Sequence, residues 1–129
     1  MTPAVSWQDG EWIKKAQAHV SAFSHALNYS CGVFDTVRLY ETPKGSAFFR
    51  LDDHVKRLVD AASFAGFSLR YKPAEIKGAL VQLAQKNKLQ SGYFRMNVFL
   101  AQEGLRVLPT DFKASLAIMA SKLDYSGKS

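Results

Sequence analysis

Two arginines stand two residues away from aromatic side chains, a spacing that puts them on one face of a strand. Arg38 shares the alternation Phe34, Thr36, Arg38, Tyr40, and Tyr93 is followed by Arg95. A guanidinium binds a carboxylate or phosphate through paired, charge-assisted hydrogen bonds, and a tyrosine hydroxyl adds a neutral donor beside it. Two such strands side by side would make a carboxylate site with apolar walls. The same residues could also be a polar outer face, with Arg38 extending its aliphatic stem over the aromatics and its charge into water. A third group is His54-Val55-Lys56-Arg57-Leu58, which read by itself is a helix surface carrying an i,i+4 ion pair.

Other chemistries have less support. His19, His25, His54 and Cys31 have no metal-ligand spacing, so no metal site is expected. His25 is expected to serve the loop before Tyr29, and Cys31, with no basic neighbour to lower its thiol pKa, to act as a small packing residue. Gly92-Tyr93-Phe94 lacks the basic lead residue and second aromatic pattern of an RNA-recognition strand, which argues against nucleic acid as a partner.

The elements that must position these residues follow from periodicity. Val5-Ser6-Trp7-Gln8 and Glu11-Trp12-Ile13-Lys14 flank Asp9-Gly10, a hairpin signal, because this pair tolerates the positive φ of a two-residue turn. Residues 16–31 have room for one or two helical turns. Residues 33–41 alternate as a strand, 42–45 (Thr-Pro-Lys-Gly) turn, and 47–50 return as its partner. Over 51–65 the period changes: Leu51, Val55, Leu58 and Ala62 form one helical face, and Asp52 with Lys56 and Asp53 with Arg57 are expected i,i+4 pairs. A second helix starts near Pro73 and runs through Ile76, Leu80 and Leu83 to Asn87. Residues 92–101 alternate again, and the apolar run 114–120 suits a central strand buried on both faces. The order β-β-β-β-α-α-β-β predicts an α+β fold, an antiparallel sheet with two main helices packed on one face.

Composition sets the frame. A chain of 129 residues, 47% hydrophobic and 22% charged, is sized for one globular domain and has no apolar run approaching a membrane span. A lone cysteine excludes an internal disulfide, and with no leader-like start the expected compartment is the cytoplasm. The net charge of +6 favours anionic partners without choosing among them, since the lysines are scattered rather than clustered.

In order along the chain, the motifs resemble one superfamily. Ser24-His25-Ala26-Leu27-Asn28-Tyr29, then Gly32-Val33-Phe34-Asp35-Thr36-Val37-Arg38-Leu39-Tyr40, is similar to the start of the fold-type IV pyridoxal-phosphate enzymes. Glu41-Thr42-Pro43-Lys44-Gly45, Phe49-Arg50-Leu51-Asp52-Asp53-His54-Val55-Lys56-Arg57-Leu58 and Tyr93-Phe94-Arg95 resemble the branched-chain aminotransferases in particular. The resemblance implies the small domain of the D-amino acid aminotransferase-like, branched-chain aminotransferase fold. It implies that Arg57 binds the phosphate of pyridoxal phosphate and that Tyr29, Phe34, Arg38, Tyr93 and Arg95 line the substrate pocket, Tyr93 and Arg95 at the carboxylate.

Two departures matter. The family's Phe-Glu-Gly-x-Arg stands here as Phe34-Asp35-Thr36-Val37-Arg38, and a β-branched Thr36 narrows the pocket in a manner more like aminodeoxychorismate lyases and D-amino acid aminotransferases. The family's larger second domain, which brings the lysine that holds the cofactor, has no counterpart among these residues. None of the eleven lysines matches it. Residues 1–121 are therefore expected to form the small domain and 122–129 a linker or tail. This chain alone is expected to lack a catalytic residue, to bind no cofactor and to be inactive. The alternative is a non-catalytic ligand-binding or oligomerising module, and the uncovered pocket side, with Phe34, Tyr40 and Phe99, predicts a homodimer or higher oligomer. A small carboxylate is the other expected partner.

Overall fold

A computed structural model describes residues 4–122. It contains β1 (Val5–Gln8), β2 (Glu11–Lys14), a 3-10 turn (Lys15–Gln17), α1 (His25–Asn28), β3 (Gly32–Thr42), β4 (Gly45–Phe48), α2 (Leu51–Phe64), α3 (Pro73–Lys86), β5 (Gly92–Phe99) and β6 (Ser115–Ser121). The six strands form one sheet in the order β2-β1-β6-β5-β3-β4, with every described pairing antiparallel. Helices α2 and α3 cover one face, which is the α+β arrangement the periodicity predicts.

Local chemistry accounts for the element ends. Asp9 and Gly10 have φ of 48° and 88°, the pair of positive values that a tight hairpin turn requires. Asp9 also ties this hairpin to β6: its carboxylate accepts from Leu116 N–H at 2.9 Å, and its own N–H donates to Leu116 O at 3.0 Å. The Ser24 hydroxyl caps α1 by accepting from Leu27 N–H. Pro73 occupies the first turn of α3, where its missing N–H costs nothing. At the other end of α3, the Asn87 side chain pairs with both backbone groups of Val5, joining the helix to the first strand. Gly92 opens β5 where no side chain fits, because a Cβ would stand 2.5 Å from Ser121 O.

The core lies between helices and sheet. Val55, Leu58 and Ala62 of α2 and Ile76, Leu80 and Leu83 of α3 pack on Val37, Phe94, Met96, Leu116 and Ile118, all nearly or fully inaccessible to solvent. Cys31 packs against this cluster as a small, partly buried residue.

Three sequence expectations are corrected. The partner of β3 is Gly45–Phe48 rather than 47–50, because Arg50 adopts a left-handed conformation (φ 55°) that turns the chain into α2. Strand β6 is central but buried on one face only: Leu116 and Ile118 face the helices, while Ala117 and Met119 face the opposite, half-open side. Neither of the two expected i,i+4 pairs of α2 forms. Asp52 accepts from Lys77 of α3 at 2.8 Å, Asp53 from Arg50 at 2.7 Å, Lys56 donates to Asp60, and Arg57 turns to β3. Partners on other elements, at the helix start and, for Lys56, one turn further along α2 displaced the expected ones.

Candidate functional site

Strand β3 divides the candidate residues between its two faces. Val33, Asp35, Val37 and Leu39 point to the helices, and Phe34, Thr36, Arg38 and Tyr40 to the open side. The register aligns Thr36, Arg95 and Met119 in one row across β3, β5 and β6, and Arg38, Tyr93 and Ser121 in another. Four of the residues singled out by sequence, Phe34, Arg38, Tyr93 and Arg95, thus share one surface.

On that surface each arginine is held by aromatic rings. The Arg38 guanidinium lies 4.9 Å from the Tyr40 ring centroid and 5.2 Å from that of Tyr93. Its Nε is buried and has no hydrogen-bond partner among the described residues. Arg95 lies over Phe34, 4.5 Å from the centroid, and its Nε donates to the Thr36 hydroxyl at 3.3 Å. Thr36 therefore does more than narrow the pocket, since its hydroxyl also orients Arg95. Two cavities open here. One, of about 560 Å³, is lined by Thr36, Tyr93, Arg95, Met119, Ala120 and Ser121. The other, of about 450 Å³, includes Trp7, Val33, Phe34, Phe99 and Met119 in its mainly apolar wall. Met119 borders both, so the end lined by Tyr93 and Arg95 adjoins an apolar one.

The helix side of β3 holds the second group. Asp35, with a side chain only 2% accessible, accepts from four donors: Arg57 Nε at 2.5 Å, Arg57 Nη2 at 2.9 Å, His54 Nδ1 at 2.9 Å and Thr36 N–H at 2.8 Å. Burial pushes the Asp35 pKa up. The hydrogen bonds from Arg57, His54 and Thr36 more than offset this, so the carboxyl titrates below its usual value. The Arg57 side chain remains 70% accessible, and with Arg50, Asp53 and His54 it lines a recess of about 190 Å³.

The outer edge of β3 joins the two groups. Strand β4 pairs only with residues 39–42, so residues 34–37 have no strand partner on that side. Asp35 reaches one face of this free edge and Thr36 the other. An extended ligand lying across it would meet Arg57 on one side and Arg95 on the other.

Tyr29 stands apart, at the end of α1, where its hydroxyl donates to Leu105 O at 2.7 Å and its ring leans on His25. His25 is buried, with Nδ1 3.1 Å from Gln102 O and Nε2 2.7 Å from Arg106 O, so it supports the 102–106 loop as well as the segment before Tyr29. Sequence reading assigned no role to Asp35, and none to His54 beyond a place on the helix surface. The signal for Asp35 was available: it is an acid on the strand face otherwise occupied by Val33, Val37 and Leu39, where a charge persists only if paired. Among the described residues no three His, Cys, Asp or Glu side chains gather as a metal ion would require, and no helix is long and apolar enough to cross a membrane.

A layered antiparallel sheet with arginines arrayed around the free edge of one strand has known relatives. The model of the amino-transferase class IV family matches residues 32–129, and the chain belongs to that family. It is similar to the branched-chain-amino-acid aminotransferase of Pseudomonas aeruginosa, 37% identical over 116 residues that cover 90% of this chain and 38% of that protein. The enzyme of that name from Escherichia coli K12 is 35% identical over 103 residues, 80% of this chain and 33% of its own length. Among solved structures, the Escherichia coli branched-chain amino acid aminotransferase superposes with a TM-score of 0.91 at 31% identity, covering 97% of this chain and 42% of that one. The T.th. branched-chain amino acid aminotransferase, complexed with N-(5'-phosphopyridoxyl)-L-glutamate, gives 0.90 at 31% identity, covering 95% and 42%. The chain thus spans well under half the length of the relatives it matches.

Proposed function

We propose that this chain provides the small-domain half of a pyridoxal-phosphate-dependent aminotransferase site, acting on amino acids and 2-oxo acids with branched aliphatic side chains. One observation carries the reading: arginines with free donors flank both faces of the unpaired edge of β3, next to an apolar cavity. The residues fit the cofactor's phosphate. Arg57 keeps donors directed to solvent after satisfying Asp35, and its recess suits a small anion.

Arg57 holds the phosphate, while Arg95 and Tyr93 bind the substrate carboxylate. Arg38 adds positive charge beside Tyr93 on the same face. Phe34 borders the aliphatic group and excludes water from it, and Tyr29 approaches from the end of α1, its hydroxyl tied to Leu105 O. Bound pyridoxal phosphate supplies the electron sink for amino-group transfer. The lysine that holds it comes from outside these residues, with the domain boundary at 121/122, where β6 ends. A cytoplasmic setting belongs to the same reading.

Co-expression with the larger domain of a class IV relative tests this. Amino transfer to a branched 2-oxo acid is expected, with Arg57→Ala losing cofactor and Arg95→Ala raising KM. Treating the chain alone with pyridoxal phosphate and borohydride is expected to leave no defined adduct. A stoichiometric adduct on one of its own lysines would overturn the assignment of the catalytic lysine elsewhere.

A second reading, an oligomerising module, has its own observation. Phe23, Leu27, Leu105, Val107 and Leu108 are all more than half exposed, as is Phe34. Phe99, expected in such a patch, is buried instead, paired across the sheet with Gly32. An apolar surface of this kind favours a homodimer, and a clean monomer in sedimentation at high concentration would contradict it.

A further inference from the structure

Asp35 is the only buried acidic side chain among the described residues. A buried ion pair is weak evidence for stability, because desolvation consumes much of what the attraction returns. The geometry of this pair accounts better for its presence. An arginine that is 70% exposed would ordinarily sample many rotamers, yet Arg57 is gripped at Nε and Nη2 by the two oxygens of one carboxylate. That fork fixes the guanidinium plane and leaves Nη1 and the outer Nη2 hydrogen free. The carboxylate is fixed in turn by His54 Nδ1 and by Thr36 N–H, both on Oδ1.

We propose that Asp35 is a positioning residue, assisted by His54, that holds Arg57 with its free donors aimed at the phosphate of the ligand. This rests on the reading that Arg57 is the phosphate residue. It also makes a prediction opposite to simple electrostatics. A carboxylate next to Arg57 repels an incoming anion, so if charge alone mattered, neutralising Asp35 would tighten phosphate binding. If positioning dominates, neutralising it weakens binding, because the ligand must then freeze a mobile arginine.

The test is titration of the full chain with inorganic phosphate, following the Arg57 Nε–H resonance by NMR. In the unaltered chain this proton is expected to exchange slowly and to shift on saturation. Asp35→Asn should abolish its protection and weaken phosphate about five- to tenfold, the effect of freeing one rotamer-rich side chain. His54→Gln, at a partly exposed position, should weaken it about twofold. Asp35→Glu, which keeps the carboxylate, should restore much of the loss. Circular dichroism monitors folding, and if Asp35→Asn does not fold, His54→Gln and Asp35→Glu still decide the matter. Phosphate binding that is unchanged or tighter in Asp35→Asn, or in His54→Gln where the former is unfolded, overturns the positioning role while leaving Arg57 as the anion residue. Binding that is indifferent to Arg57→Ala, or no shift at all in the unaltered chain, removes the phosphate reading and this inference with it.

Discussion

The two faces of the sheet hold their arginines in different ways. On the helix-covered face Arg57 is fixed by a buried carboxylate, through directional hydrogen bonds that determine where its remaining donors point. On the open face Arg38 and Arg95 lie against ring faces, which attract a cation without specifying its hydrogen-bond directions, and Arg95 adds one hydrogen bond from Nε to the Thr36 hydroxyl. The first device suits a ligand group whose position is constant, such as a phosphate. The second fixes the guanidinium less tightly and suits ligands of varied shape. The faces also differ in what holds the fold together. One is closed by α2 and α3, whereas the other carries its cavities uncovered.

The largest expected contrast is in the core. Phe94→Ala removes a fully buried ring and should cost about 3–5 kcal/mol in urea unfolding. A loss under about 1 kcal/mol, a third of the smallest expected, would show that the helix side is not the structural one. Asp35→Asn should cost less, about 1–3 kcal/mol near neutral pH, because the charged hydrogen-bond acceptor is lost. Its pH dependence follows from the depressed pKa. The folded carboxyl titrates below its ordinary 3.8, so its contribution is complete above that value and is lost as pH falls through the folded one. The stability gap between the two proteins should therefore narrow in acid, and a gap that widens there would contradict the ion-pair geometry.

The open-face substitutions should do less. Arg38→Lys keeps the charge but loses the planar stack between Tyr40 and Tyr93, at about 0.5–1 kcal/mol. A stabilisation would indicate that the stack does not persist in solution. Smallest of all, Phe34→Ala at a 62% exposed position should change stability by no more than about 0.5 kcal/mol. A core-sized loss there would show that both faces are structural and erase the contrast.

Much of this was legible along the chain. The change from a two-residue to a 3.6-residue period marked β3 and α2 within a residue of where they lie, since each element buries one face of its own. The grouping of Phe34, Arg38, Tyr93 and Arg95 needed only alternation plus the adjacency of two strands. The strand order was less accessible, because inserting β6 between β1 and β5 depends on how a distant segment fills the sheet. The ion pairs of α2 were misread for a related reason. Exposed i,i+4 pairs are weak, and Lys77 on α3, Arg50 at the helix start and Asp35 on β3 displaced them.

The residue types, the motif string and the alternation thus determined by themselves that this chain folds as a helix-covered antiparallel sheet and that Phe34, Arg38, Tyr93 and Arg95 share one face of it. Only the tertiary structure decided that Arg57 and Arg95 would flank one free strand edge from opposite faces, and that a buried carboxylate would hold the first of them. Local patterns specify which side of an element is apolar, but a charge on that side must find partners that only the assembled fold brings within hydrogen-bonding distance.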